Sequence, residues 1–153
     1  DFAQMPAQQN EEIDVNKITS LALSLFSKPF IRFKASDTDL LVKFDRTQLI
    51  RIINNLVKNA IQACDEQQNP LIEVEVENFL GHFKITIKDN GKGIAPEHIQ
   101  QVFEPKFTTK SSGMGLGLGM VKSIVENYKG KISCKSQLGK GTVFTIEIPL
   151  KAL

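Results

Sequence analysis

The sequence predicts an α+β sandwich with one mainly antiparallel sheet. Segments with two-residue apolar alternation are interspersed with segments of helical apolar spacing, but the two kinds do not alternate as regular βαβ units. Two alternating runs, residues 71–77 and 83–88, follow each other across a short turn, as half-buried antiparallel neighbours do. A chain of 153 residues, 41% of them hydrophobic, is long enough for one domain with a core of its own.

Residues 1–12 are polar and Gln-rich around Pro6, and they read as a helix tail followed by a linker; the domain proper is expected over residues 13–153. Asp14 can cap a helix in which Ile18, Leu21, Leu25 and Phe26 recur at helical spacing until Pro29 ends it. Alternation through Phe30, Arg32 and Lys34, and again over residues 41–44, predicts two short strands. Asp45 caps the strongest helix, residues 46 to about 66, with Leu49, Ile53, Leu56, Ala60 and Ala63 along its apolar side. Strands 71–77 and 83–88 place Ile72, Val74 and Val76, then Phe83, Ile85 and Ile87, on alternate positions. After a glycine-rich turn, residues 96–102 read as a short helix, and residues 103–119 fit no regular element. Val121, Ile124, Val125 and Tyr128 restore helical spacing up to Gly130. Residues 131–135 and 142–148 close the chain as strands, joined by a turn around Gly139 and Gly141.

Charge and composition exclude several roles. The net charge of +2, from 19 basic and 17 acidic side chains, gives no long-range field for nucleic acid or an anionic membrane. No apolar run approaches the ~18 residues that span a bilayer, so the chain reads as soluble, with no direct membrane contact. Cys64 and Cys134 form neither a disulfide framework nor a metal motif, and the only histidines are His82 and His98. A reducing, cytoplasmic setting fits best. The first residue is Asp1 instead of Met, so the chain reads as a piece of something longer.

Eight of the ten glycines fall in three clusters, Gly91 with Gly93, Gly113 to Gly119, and Gly139 with Gly141, so bare backbone is needed at those places. In SSGMGLGLGM each mid-helix glycine would cost ~1 kcal/mol against alanine, yet the run leads straight into an amphipathic helix. Free N–H groups at a helix start suit a phosphate. A flexible linker is the bland alternative, but linkers favour Ser and Thr over alternating Met and Leu. A dinucleotide-binding GxGxxG fails in every register, because Leu118, Met120 and Lys122 occupy the last glycine's place, and no Walker A loop is present. Asp89 ends a strand beside flexible glycines; Asn90-Gly91 is a hairpin signal, but the residues after it start a helix instead of a returning strand. On the long helix Asn55, Asn59 and Gln62 share a narrow arc opposite the apolar stripe. A solvated face is the bland reading. Asparagine is a mediocre helix former, and its carbonyl can take one place on Mg²⁺, so a ligand role competes with that reading. Cys64 and Cys134 read as small core residues and His82 as a turn residue.

Taken in order, NNLVKNAIQA, DNGKGI, FEPKFTTK and GMGLGLGMVKSIV, followed by GKGTVFTIEIP, resemble the N, G1, F and G2 boxes of sensor histidine kinase catalytic domains. These belong to the Bergerat-fold ATP-binding superfamily, with gyrase and the mismatch-repair ATPases. The likeness covers roughly residues 13–149, and five motifs in order are far more specific than one glycine box. The opening DFAQMP resembles the tail of the helical hairpin in the nitrogen-regulation branch. The implied fold is a two-layer α/β sandwich: a mixed, mainly antiparallel sheet packed on about three helices, with a flexible ATP lid.

The resemblance implies roles for individual residues. Asp89 matches the adenine ligand, with Gly91, Gly93 and Ile94 passing close to the base and Thr142 supporting the contact. A carboxylate accepts from adenine's amino group and would face guanine's carbonyl oxygen, so ATP should be preferred to GTP. Asn59 matches the Mg²⁺ ligand, with Asn55 a turn earlier. Gly113, Gly115, Gly117 and Gly119, with Leu116 and Leu118, match the lid hinge whose amides reach the phosphates. Phe103 and Phe107 would pin the lid, and Thr108, Thr109 and Lys110 match its TTK, with Lys106 a second lid cation. Many kinases carry a basic residue where this chain has Gln62, which leaves the charge on the phosphates to the lid lysines.

Hydrolysing relatives carry a glutamate where this chain has Asn55, and an amide cannot act as that general base. The implied function is therefore to bind Mg·ATP and donate its γ-phosphate to a histidine, with Asn55, Asn59 and Lys110 as catalytic residues. The acceptor is expected on a separate dimerisation and phosphoacceptor domain, since neither His82 nor His98 is followed by an acidic residue. The further partner implied is a response regulator, in a bacterial cytoplasm, and the isolated domain is expected to be a monomer. Two alternatives are a weak ATPase that uses another base and a degenerate interaction module that holds no nucleotide.

Overall fold

The computed structural model describes residues 7–104 and 114–150. The opening DFAQMP, residues 1–6, expected to be a hairpin tail, lies outside them. The first element, β1 (Glu11–Asp14), pairs antiparallel with β3 (Leu41–Phe44), Glu11 opposite Phe44. Glu11 and Glu12, expected in the linker, pair with Phe44 and Lys43 of β3.

Asp14 caps α1 (Val15–Ser24), its carboxylate accepting from the Asn16 amide at 2.9 Å. The face that α1 buries is Val15, Ile18, Thr19 and Ala22, whereas Leu21 and Leu25 are 49% and 69% exposed. Of the expected stripe, Ile18 is buried and Phe26 packs against the core, but Leu21 and Leu25 lie on the exposed side. Small Ala22 and β-branched Val15 let α1 lie close against α2 (Arg46–Ala63). Asp45 caps α2 through the Gln48 amide at 3.2 Å, and Leu49, Ile52, Ile53, Leu56 and Val57 lose all exposure. Each such side chain is worth roughly 1.5–3 kcal/mol of burial, which makes α2 the spine of the core. The helix stops at Ala63 instead of near residue 66 because the Ala63 carbonyl accepts from the Lys92 amide, 3.0 Å away.

The expected α+β architecture is observed: a mixed sheet packed against helices. Five strands run in the order β2 (Ile31–Lys34), β4 (Ile72–Phe79), β5 (His82–Asp89), β7 (Gly141–Pro149), β6 (Lys131–Gln137). Only β2 and β4 are parallel; the other pairs are antiparallel. Helix α3 is a single turn, Pro96–Ile99, shorter than expected.

The largest departure is α4, which spans Met114–Asn127. Residues 114–119, expected to be irregular, are helical in spite of their glycines. The reason is packing: a Cβ on Gly117 would lie 2.6 Å from the Asn55 Oδ1, so the bare glycine lets α4 meet α2 with Asn55 undisturbed. Further along, Val121, Ile124, Val125 and Tyr128 are fully buried, as their spacing predicts.

Candidate functional site

The site forms where β5 ends. Asp89 is its last residue and stands opposite Thr142 of β7; the two are 5% and 4% exposed. Alternation along β5 makes this inward position polar after Phe83, Ile85 and Ile87. Burial pushes the Asp89 carboxyl above its ordinary value, opposed by the backbone amides of Gly91 and Thr142. The Gly91 amide donates to Oδ1 at 2.8 Å, which turns the chain sharply out of the strand. Both thiols nearby are also raised, first by burial and then by the Asp89 charge, Cys134 to about 11, so they stay protonated.

A hydroxyl cluster joins the loop to β6 and β7. Ser136 Oγ accepts from the Ile94 amide at 2.7 Å, donates to the Gly141 carbonyl at 3.0 Å, and lies 2.7 Å from Thr142 Oγ1. Asp89, Thr142, Ile94 and Gly91 are therefore brought into one region. The bare backbone at Gly91 and Gly93 has a use within the fold itself. A Cβ at Gly91 would collide with the Ala63 carbonyl, and one at Gly93, where φ is +76°, with the Gln137 carbonyl. The approach these glycines permit is to protein backbone, which docks the loop on α2 and on the β6–β7 turn.

Two residues of this region escaped the sequence reading. Asn90 Oδ1 accepts from the Leu71 amide at 2.9 Å, its Nδ2 donates to the Asn69 carbonyl at 2.9 Å, and its carbonyl accepts from Gln67. It locks the connection after α2 beneath the loop. Read as half of an Asn-Gly turn, it gave no sign of this. Ser136 was legible only as the polar end of an inward stripe after Ile132 and Cys134.

On α2, Asn59 is buried at 9% exposure, and Asn55 and Gln62 are half-buried, so this arc is not a solvated face. Among the described residues neither Asn59 Nδ2 nor Gln62 Oε1 has a hydrogen-bond partner. A buried orphan amide costs free energy unless a ligand or water satisfies it. Asn59 lies one turn before Ala63, the residue that receives the loop, so it stands near the Asp89 end of the site. Asn55 instead donates from Nδ2 to the Arg51 carbonyl at 2.8 Å.

Gly115, Leu116, Gly117, Leu118 and Gly119 all lie in the first half of α4, and Leu118 is buried at 2%. Phe103 packs edge-on against Phe144, centroids 6.1 Å apart, with Lys122 over its ring. Lys106, Phe107, Thr108, Thr109, Lys110 and Gly113 lie outside the described residues, and with them most of the expected lid. Among the described residues no group of three or more His, Cys, Asp or Glu could hold a metal, and no helix is long and apolar enough to cross a membrane.

Known proteins share this fold. Residues 44–152 match the family of histidine kinase-, DNA gyrase B- and HSP90-like ATPases. The chain is 38% identical over 148 residues to the sensor histidine kinase ZraS of Salmonella typhi, covering 93% of this chain and 32% of that protein. It is 32% identical over 154 residues to sporulation kinase B of Bacillus subtilis, covering 97% and 36%. The chain thus spans about a third of the length of the curated relatives it matches. The solved catalytic domain of the histidine kinase ThkA superposes with a TM-score of 0.81 at 31% identity, over 93% of this chain and 96% of that one. ThkA in complex with the response regulator protein TrrA gives 0.82 at 28% identity, over 99% and 45%. The chain belongs to the histidine kinase-, DNA gyrase B- and HSP90-like ATPase family, and its fold is that of a histidine kinase catalytic domain.

Proposed function

We propose that this chain binds Mg·ATP and donates the γ-phosphate to a histidine on a separate dimerisation and phosphoacceptor domain, as the catalytic domain of a two-component sensor kinase. The observation that carries the reading is the buried pair Asp89 and Thr142 at the end of β5 and β7. A buried carboxylate with no ion pair among the described residues calls for a ligand that donates to it, and adenine's amino group does so. Asn59 fits the second part. Its carboxamide offers an oxygen to a hard cation and an N–H to a phosphate oxygen, and its buried nitrogen has no partner among the described residues. Mg²⁺ bound there would neutralise charge on the phosphates.

The chain's own groups then position and exclude. Asp89 and Thr142 orient the base, and α4, entered through Gly115 and Gly117, presents its N-terminal end toward the phosphates. The β–γ oxygen–phosphorus bond breaks and a phosphorus–nitrogen bond forms on the acceptor imidazole, leaving ADP. Hydrolysis is disfavoured because Asn55 cannot accept a proton from water, and its amide is bonded to the Arg51 carbonyl. Lys110 and Lys106 are the proposed lid cations. Phosphate then passes from the histidine to a response regulator, the class of partner seen with ThkA.

Calorimetric titration with a non-hydrolysable ATP analogue, with and without Mg²⁺ and beside a GTP analogue, tests this. Magnesium-dependent, adenine-selective binding with no steady ATP turnover by the chain alone is expected. Rapid multiple turnover would make it a weak ATPase. A folded sample that binds neither nucleotide would make it an interaction module.

A further inference from the structure

We infer that Ser136 is a positioning residue that fixes the hydrogen-bond polarity of the Asp89–Thr142 pair, so that the pair recognises an exocyclic amino group and rejects a carbonyl in the same place. This rests on the nucleotide reading above and names what enforces its base preference.

A serine hydroxyl has one hydrogen and two acceptor positions. At Ser136 every direction is taken. The Ile94 amide, at 2.7 Å, can only donate, and the Gly141 carbonyl, at 3.0 Å, can only accept. The single hydrogen of Ser136 is therefore committed to Gly141. Thr142 Oγ1, 2.7 Å away, must then supply the hydrogen of its own contact with Ser136. What Thr142 has left are lone pairs.

Asp89, opposite Thr142 in the β5–β7 register, is acceptor-only when ionised. Two buried side chains, 5% and 4% exposed, thus offer acceptors and no donor. An amino group, or a water that donates to both, satisfies them. A carbonyl oxygen meets lone pairs on each side, and a site that leaves buried polar groups unpaired rejects its ligand strongly. Without Ser136 the Thr142 hydroxyl is free to rotate and donate to that carbonyl. Ser136 itself touches no base; it acts through Thr142 and, through the Ile94 amide, on the loop that closes the pocket.

The test compares ADP with inosine diphosphate, which replaces the amino group by a carbonyl, in calorimetric titrations of the wild-type chain, Ser136→Ala and Ser136→Thr. The wild type is expected to prefer ADP. Ser136→Ala should narrow that preference about tenfold, mainly by improved inosine binding, and Ser136→Thr, which keeps the hydroxyl, should restore it. If Ser136→Ala weakens both nucleotides equally and leaves the ratio unchanged, the serine is only structural and the proposal is overturned. Failure of Ser136→Thr to restore the ratio overturns it too. Should Ser136→Ala not fold, Ser136→Cys, a weak donor of similar size, carries the same expectation. A wild type without preference for ADP removes the base reading itself, an outcome visible before any variant is made.

Discussion

The side-chain carbonyl of Asn55 stands 2.6 Å from the point where a Cβ on Gly117 would sit, so α2 and α4 touch at a place where a side chain on α4 fits only if Asn55 gives way. The glycine run that looks unfit for a helix is what allows this helix its position. Swinging Asn55 aside breaks the hydrogen bond from its Nδ2 to the Arg51 carbonyl, 2.8 Å away.

Gly117→Ala therefore sets two effects against each other. It gains ~1 kcal/mol of helix propensity and loses the Asn55 hydrogen bond, worth about 0.5–1.5 kcal/mol. Stability should change little in the wild type. In an Asn55→Ala background only the gain remains, so Gly117→Ala should stabilise by about 1 kcal/mol there. A double-mutant cycle by urea denaturation reads the difference, and strict additivity would mean that the two residues do not meet.

Asp89 opposes function to stability. Its carboxyl titrates above the ordinary 3.8, so between that value and its raised one the folded chain holds a proton that the unfolded chain has lost. Stability accordingly falls as pH rises through this window and stays lower above it. Asp89→Asn keeps an acceptor for the Gly91 amide, removes this pH dependence, and should not lower the thermal midpoint at neutral pH. Adenine nucleotide binding should weaken about tenfold or more. A lower midpoint with intact binding would show that the carboxylate serves the fold instead.

Asn59→Ala removes a buried amide whose nitrogen has no partner, so the fold loses little. The expected result is an unchanged thermal midpoint and loss of the Mg²⁺ dependence of nucleotide affinity, read by titration with and without the ion. Persistence of the metal effect would place the cation on other ligands.

Strands and long helices were legible because their apolar periods are unbroken and because Asp14 and Asp45 stand at the caps. The errors share one physical source, which is that local pattern does not contain the neighbour. Leu21 and Leu25 have helical spacing, but the narrow seam with α2 selects Val15, Ile18, Thr19 and Ala22. The start of α4 was hidden because propensity counts against glycine and cannot register Asn55 across the gap. In the proposed site, Asp89, Asn59 and Thr142 are singled out by motif resemblance, and all three are buried. Ser136 and Asn90 were not, since each works by contacts to residues far away in sequence.

The same distance in sequence hides how the segment leading into β1 is held. Tyr128, at the end of α4, is fully buried and stacks on Phe44 at 3.8 Å between centroids. Its hydroxyl accepts from the Asp45 amide at 3.0 Å and donates to Asn10, while Gln9 donates its amide to the Asp45 carboxylate at 2.9 Å. One phenol thus ties the start of α2, the end of α4 and the strand entering the domain. Tyr128→Phe keeps the stacking and leaves the Asp45 amide without an acceptor, which should cost about 1–3 kcal/mol in urea unfolding. Asn10→Ala leaves that amide satisfied and exposes the hydroxyl only to water, for a cost below about 0.5 kcal/mol. Burial, with the Asp45 charge, also raises the Tyr128 hydroxyl above its ordinary value of 10.0. The unfolded chain then loses this proton first, so wild-type stability falls as pH rises past that value, and the fall should be shallower in Tyr128→Phe. Equal urea midpoints for the two variants would mean that the phenol contributes packing alone.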